Sequence, residues 1–176
     1  MNAAHVHLMV NHLPIFGSIL SLPLLGLAIW RRRELSILFG ATALLTLAAV
    51  GAGVALRSGG AAEEVVEDLP GVSETLIEAH EERAETATAL AVVTALGAIG
   101  ASAWAWRRGS VPALGLAGVT AAAVITSGAM AWTGLAGGQI RHTEIRPDAG
   151  AGVEVPYAEG HESPEEEERE GGRDRD

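Results

Sequence analysis

Four long uncharged stretches, made mainly of apolar residues, divide the chain. They cover about residues 8–30, 35–56, 87–106 and 111–135, and each has at least 20 residues. An α-helix rises about 1.5 Å per residue, so each stretch is long enough to cross a hydrocarbon core of about 30 Å. The pattern predicts an all-α fold, an integral membrane four-helix bundle.

Arginines in the two shortest connections predict how this bundle is oriented. Arg31, Arg32 and Arg33 join the first two stretches, and Arg107 and Arg108 join the last two. Basic residues in short loops favour the cytoplasmic side of a membrane. We therefore expect a multi-pass protein of the bacterial inner (cytoplasmic) membrane, with its N- and C-termini on the outer, periplasmic side.

The connection between the second and third stretches is predicted to form helix outside the membrane. Residues 61–68 favour a short helix that the turn signal Leu69-Pro70-Gly71 ends. Ser73 can cap the next helix, and no helix breaker follows before Gly97. The third span is therefore expected to be a long helix that projects about three turns beyond the membrane.

Acidic residues are concentrated outside the apolar stretches. The chain has a net charge of −10; residues 57–83 carry eight acids and two arginines, and residues 143–176 carry twelve acids and four arginines. The composition predicts a four-helix transmembrane domain at residues 1–146 and a disordered acidic tail at 147–176. An acidic surface disfavours nucleic-acid partners. With no cysteine in the chain, disulfides and thiolate metal sites are excluded.

Small residues recur every four positions in the third and fourth spans. We expect these faces to pack helices closely together, because small side chains let helix backbones approach each other in lipid. A slot for a flat porphyrin is the alternative use of the same faces. The residues are Ala87, Ala91 and Ala95, and Ala113, Ala117 and Ala121.

Five of the six histidines fall at the predicted outer face. They are His5, His7, His12, His80 and His142, whereas His161 lies in the tail. Neutral imidazole is the commonest protein ligand of metals, and polar groups at membrane depth are candidates for function. Helix rise places His7 and His80 at similar heights and His12 about 7.5 Å deeper than His80, a difference that a helix tilt can absorb. His142 lies beyond Gly137 and Gly138, which we expect to end the fourth span, so residues 139–145 could fold back across the bundle. Several pairings remain open.

These histidines predict a cofactor site at the outer face. We expect His12 and His80, with His7 or His142, to bind a haem. Two neutral imidazoles on facing helices would be its ligands. The alternative cofactor is a divalent transition metal. For it, carboxylates would join the four histidines, giving the set His7, His12, His80, His142, Glu82 and Glu144.

The sequence contains no nucleophile–base constellation, which argues against an enzyme acting on its own. The leading hypothesis is an electron-transfer subunit that lies in membrane lipid and meets a redox partner on the outer side. The alternative hypothesis is a cofactor-free accessory subunit that docks other subunits of a larger membrane complex, or a basic soluble partner.

Several motifs resemble those of an uncharacterised family of small four-helix bacterial membrane proteins. The resemblance covers residues 1 to about 146 and implies a similarity, in helix count and histidine placement, to two-haem b-type cytochromes. Those cytochromes hold ligands near both membrane faces, whereas this chain has no histidine at the inner face, so two stacked haems are not expected. The motifs are His7-x-x-x-Asn11-His12-x-Pro14, Leu69-Pro70-Gly71-Val72-Ser73-Glu74, Leu76-Ile77-Glu78-x-His80-Glu81-Glu82 and Gly138-x-Ile140-Arg141-His142-x-Glu144-Ile145.

Overall fold

The computed structural model describes residues 2–67 and 69–147. The regular structure in this part of the chain is helical, and the predicted disordered tail lies almost wholly outside the described residues. The elements are α1 (Ala3–Val10), α2 (Leu13–Trp30), α3 (Leu35–Val66), α4 (Glu74–Arg108), α5 (Ala113–Arg141) and a short 3₁₀ turn (Thr143–Ile145).

Four helical segments are long and apolar enough to cross a membrane: Ala3–Trp30, which joins α1 to α2, then α3, α4 and α5. This confirms the all-helical fold with four long apolar helices. The helices pack in a ring in which α2 contacts α3, α3 contacts α4, α4 contacts α5, and α5 returns to α2. The short helix α1 packs on α3.

A proline separates α1 from α2. Asn11 and His12 form a turn between the two helices, and Pro14 occupies the first turn of α2, where a missing N–H leaves no hydrogen bond unmade. Pro23 lies inside α2 without ending it. Asn11 and His12 both keep right-handed helical φ and ψ values, so α1 leads directly into α2, and both helices pack on α3.

The predicted separate helix at residues 61–68 is instead the end of α3. This helix continues through Gly59 and Gly60 to Val66, and a turn with Gly71 at φ +79° follows. Ser73 is the N-cap of α4, as predicted, but its hydroxyl lies 2.9 Å from the hydroxyl of Thr75 and makes no capping hydrogen bond. The prediction of one long helix here is confirmed, since α4 runs unbroken to Arg108.

Alanine faces have two different environments. Ala87, Ala91 and Ala95 are buried in the bundle, as the close-packing prediction requires. Ala113, Ala117 and Ala121 are exposed on α5, so the prediction is wrong for them within this chain. The rotation of α5 turns larger residues inward instead, among them Leu116, Val119 and Met130.

Hydroxyl pairs connect neighbouring helices inside the ring. The hydroxyl groups of Thr94 on α4 and Thr126 on α5 lie 2.8 Å apart and are buried. Those of Thr42 on α3 and Ser102 on α4 lie 2.7 Å apart. In an apolar surrounding such pairs help to hold helices together, because a buried hydroxyl needs a hydrogen-bond partner.

The prediction that Gly137 and Gly138 end the fourth span is wrong. The helix α5 continues to Arg141, and only the 3₁₀ turn follows it. Both glycines have a neighbour in the space that a Cβ would fill: a ring atom of His80 lies 2.9 Å from that position on Gly137, and Ile145 Cδ1 lies 3.2 Å from it on Gly138. Close approach explains the two glycines better than helix termination does.

Candidate histidine site

Two histidines meet at one end of the bundle, which we call the histidine end. It is formed by α1, the last turns of α3 and α5, and the first turns of α4. The ring centroids of His7 on α1 and His80 on α4 lie 6.5 Å apart, and the ring planes are nearly perpendicular, at 85°. Both side chains are half-buried. The fold thus selects the pair His7–His80 from those that the sequence left open.

Both imidazoles are anchored in the same way. His7 Nδ1 lies 2.9 Å from the carbonyl oxygen of Ala55, and His80 Nδ1 lies 3.0 Å from that of Thr133. In each case the ring also rests against the glycine four residues further along the same helix, Gly59 on α3 or Gly137 on α5. One local arrangement, a helix carbonyl followed by a glycine, therefore holds each ring.

These hydrogen bonds fix where the protons are. A carbonyl oxygen only accepts, so Nδ1 of each ring must carry a proton and donate it. In the neutral imidazole, Nε2 then has a free lone pair, the form that binds metals. His80 lies seven residues before the uncharged stretch 87–106. Burial at this position lowers the pKa of His80. The hydrogen bond to Thr133 raises this pKa, and His7 lowers it further.

One polar atom near this pair has an unmet hydrogen-bonding requirement. The side-chain oxygen Oδ1 of Asn11 is buried and finds no hydrogen-bond partner among the described residues. Asn11 follows His7 by four residues, and its backbone N–H donates to the carbonyl oxygen of His7. Residues with this spacing lie on one side of the helical path. A buried acceptor without a donor is uncommon and calls for an explanation, such as a bound group or water.

The other predicted ligands lie apart from this pair or make different contacts. His12 is exposed, with its ring stacked on Phe16 at 6.2 Å between centroids. His142 is exposed and pairs with Glu144, with His142 Nδ1 2.8 Å from Glu144 Oε1. Glu82 lies on an exposed face of α4. Among the described residues, no group of three or more histidine, aspartate or glutamate side chains is placed to hold a metal ion.

Carboxylates crowd the surface of the histidine end. The pKa of Glu63, near the end of α3, is raised, chiefly by partial burial. Acidic neighbours raise it further, and in decreasing order of effect they are Glu81, Glu67, Glu74 and Glu78. Within the part of the chain that the structure describes, His142 and Glu144 form the single close ion pair. Among the described residues, no arginine forms a direct ion pair with these carboxylates.

Sequence reasoning missed the residues that anchor the pair. Ala55 and Thr133 act through backbone carbonyl groups, which every residue type has, so no side-chain pattern could identify them. Gly59 and Gly137 did carry a signal, because a glycine inside a long helix costs stability and needs a reason. That reason becomes visible only when the opposing ring is in place.

The fold and site together define a class, that of small four-helix proteins with candidate membrane spans and a histidine pair at one end. Comparison with protein-family models, with curated proteins and with solved structures finds no match in any of the three. The resemblance to an uncharacterised membrane family stays a prediction, and the function is argued from the site itself.

Proposed function

We propose that this protein is a membrane electron-transfer subunit in which His7 and His80 would hold one haem. The observation that carries the proposal is the matched anchoring of the two rings. Each ring is held at Nδ1 by a helix carbonyl, which is the usual support of a metal-binding histidine, and each is left with Nε2 for a ligand.

The two rings lie close together, so one bound group could contact both. The observed centroid separation is 6.5 Å. The lowered pKa of His80 supports the neutral, ligating form.

Two protein ligands favour haem over a bare divalent ion. A structural zinc site normally takes four protein ligands, whereas one or two protein side chains can hold a haem. In the described residues no third donor joins His7 and His80. A bound haem would supply one-electron chemistry, while His7 and His80 would hold it and tune its potential through their hydrogen bonds to Ala55 and Thr133.

An absorption spectrum of the full chain, purified from a membrane fraction of cells that make haem, tests the proposal. We expect a Soret band and about one haem per chain, both lost in His7→Ala and in His80→Ala. The matched controls His5→Ala and His142→Ala replace exposed histidines of the same end and should keep the band. Metal analysis of the same samples separates haem iron from a bare transition metal. A colourless protein without stoichiometric metal would refute the site.

Membrane insertion and orientation belong to the same proposal. The protein would lie in the bacterial inner membrane with the histidine end, and so both termini, on the periplasmic side, where a redox partner would reach it. Because the chain has no cysteine, single substitutions can report this cleanly. Glu74→Cys in intact cells should react with a membrane-impermeant maleimide, and Ser110→Cys should react only after lysis.

A cofactor-free accessory subunit is the second candidate, and one observation favours it. The same hydrogen bonds that anchor the rings also connect α1 to α3 and α4 to α5, which a purely structural role would explain. The acidic surface around Glu63 would then dock other subunits or a basic partner. Recovery of an intact larger complex from the double variant His7→Ala/His80→Ala would support this role over haem binding.

A further inference from the structure

Arg146 makes three hydrogen bonds at the histidine end. Its Nε donates to the carbonyl oxygen of Gln139 at 2.8 Å, and its Nη2 donates to those of Ile140 at 3.0 Å and Gly71 at 2.8 Å. Gln139 and Ile140 belong to the last turn of α5, where backbone carbonyls have no partner inside the helix. The guanidinium supplies those partners and places a positive charge at the helix C-terminus, where it is favourable.

The third bond of Arg146 reaches a different part of the fold. Gly71 lies in the turn between α3 and α4, three residues before α4 begins at Glu74. The same pair of helices is joined deeper in the bundle by the hydrogen bond from His80 on α4 to Thr133 on α5. Arg146 therefore connects the turn before α4, the helix that carries His80, to the end of α5, whose Thr133 carbonyl accepts the hydrogen bond from His80.

The 3₁₀ turn adds a packing contact to this connection. Ile145, next to Arg146, lies with Cδ1 3.2 Å from the position that a Cβ of Gly138 would take, and the preceding residue Gly137 is the one that His80 rests against. The turn thus lies along the last turns of α5, beside the His80 contact, and Arg146 holds it there.

We propose that Arg146 is a positioning residue for His80, keeping α4 and α5 in the register that directs His80 Nδ1 to Thr133. The planar guanidinium can serve three carbonyls at once, which the single ammonium of a lysine does less well. The value of this position for ligand binding rests on the proposed haem function, but the positioning itself is independent of it.

The test is ¹⁵N NMR of the full chain without added haem, with labelled histidines and His80 assigned through His80→Ala. The wild type should show His80 as the Nδ1–H tautomer. In Arg146→Gln the ratio should shift about fivefold towards the Nε2–H tautomer, the size expected when one ordinary hydrogen bond is lost. Arg146→Lys should shift it less.

Arg141→Gln is the matched control. Arg141 is on the same last turn of α5, is exposed, and donates no side-chain hydrogen bond to the described residues, so His80 should be unchanged. If Arg146→Gln does not fold, Arg146→Lys alone decides. A wild-type tautomer ratio for His80 in folded Arg146→Gln, or in Arg146→Lys where Arg146→Gln does not fold, would overturn the proposal. A missing Soret band would instead refute the haem site and leave this readout intact.

Discussion

Replacing Gly137 by alanine should disturb the histidine site more than any other glycine-to-alanine change at the same end. A Cβ on Gly137 would lie 2.9 Å from His80 Cε1 and 3.2 Å from its Nδ1. The ring cannot keep its place, because contacts below 3.0 Å are not tolerated. It must move away from α5, and its 3.0 Å hydrogen bond to Thr133 must stretch or break.

The expected loss of stability follows from these two effects. Overpacking costs about 1–3 kcal/mol, and the lost hydrogen bond about 0.5–1.5 kcal/mol. Alanine also favours helix over glycine by about 1 kcal/mol, which acts in the opposite direction. Gly128→Ala on α5 is the matched control, since its Cβ would meet nothing within 4 Å. Against this control, Gly137→Ala should lower the free energy of unfolding by roughly 1.5–4.5 kcal/mol.

Denaturant unfolding in mixed micelles, followed by far-ultraviolet circular dichroism, measures this difference. Gly59→Ala provides a third point, because its Cβ would lie 3.4 Å from the His7 ring, an ordinary contact distance, so its stability should be close to that of Gly128→Ala. Equal stability of Gly137→Ala and Gly128→Ala would refute the close packing of His80 against α5.

Two further predictions concern the bundle core and the acidic surface. Thr94→Val should destabilise the fold by about 1–3 kcal/mol in the same unfolding assay, because it leaves the buried Thr126 hydroxyl unpaired. The double variant Thr94→Val/Thr126→Val should lose less stability than the sum of the two single variants. Strict additivity would contradict the pairing. Glu63 has a raised pKa, so its ionisation weakens the folded state as pH rises through that pKa. Glu63→Gln should therefore melt at a higher temperature than the wild type at pH 7. This gain in melting temperature should vanish below about pH 4.5 and shrink in high salt. A gain independent of pH and salt would count against charge repulsion.

The four long helices of this protein were predictable from the sequence alone, but the ends of α3 and α5 were not. Long uncharged stretches specify helices of spanning length, because a backbone in an apolar surrounding must satisfy its hydrogen bonds locally. The start of α4 at Glu74 and its uninterrupted course to Arg108 were equally readable, since a cap position and the absence of breakers are local properties. The concentration of histidines at one end followed from the same counting.

The partners within the site depended on the tertiary structure. Helix rise gave the heights of His7 and His80. Which imidazole faces which is set by the rotation of each helix about its axis, and the packing of the whole bundle fixes that rotation. The same rotation turned Ala113 outward, against expectation. The sequence predicts a helix end at Gly137, because a glycine that accommodates a ring and one that ends a helix look alike in a sequence. The two are distinguished only when the ring of His80, 57 residues away in the chain, lies against Gly137.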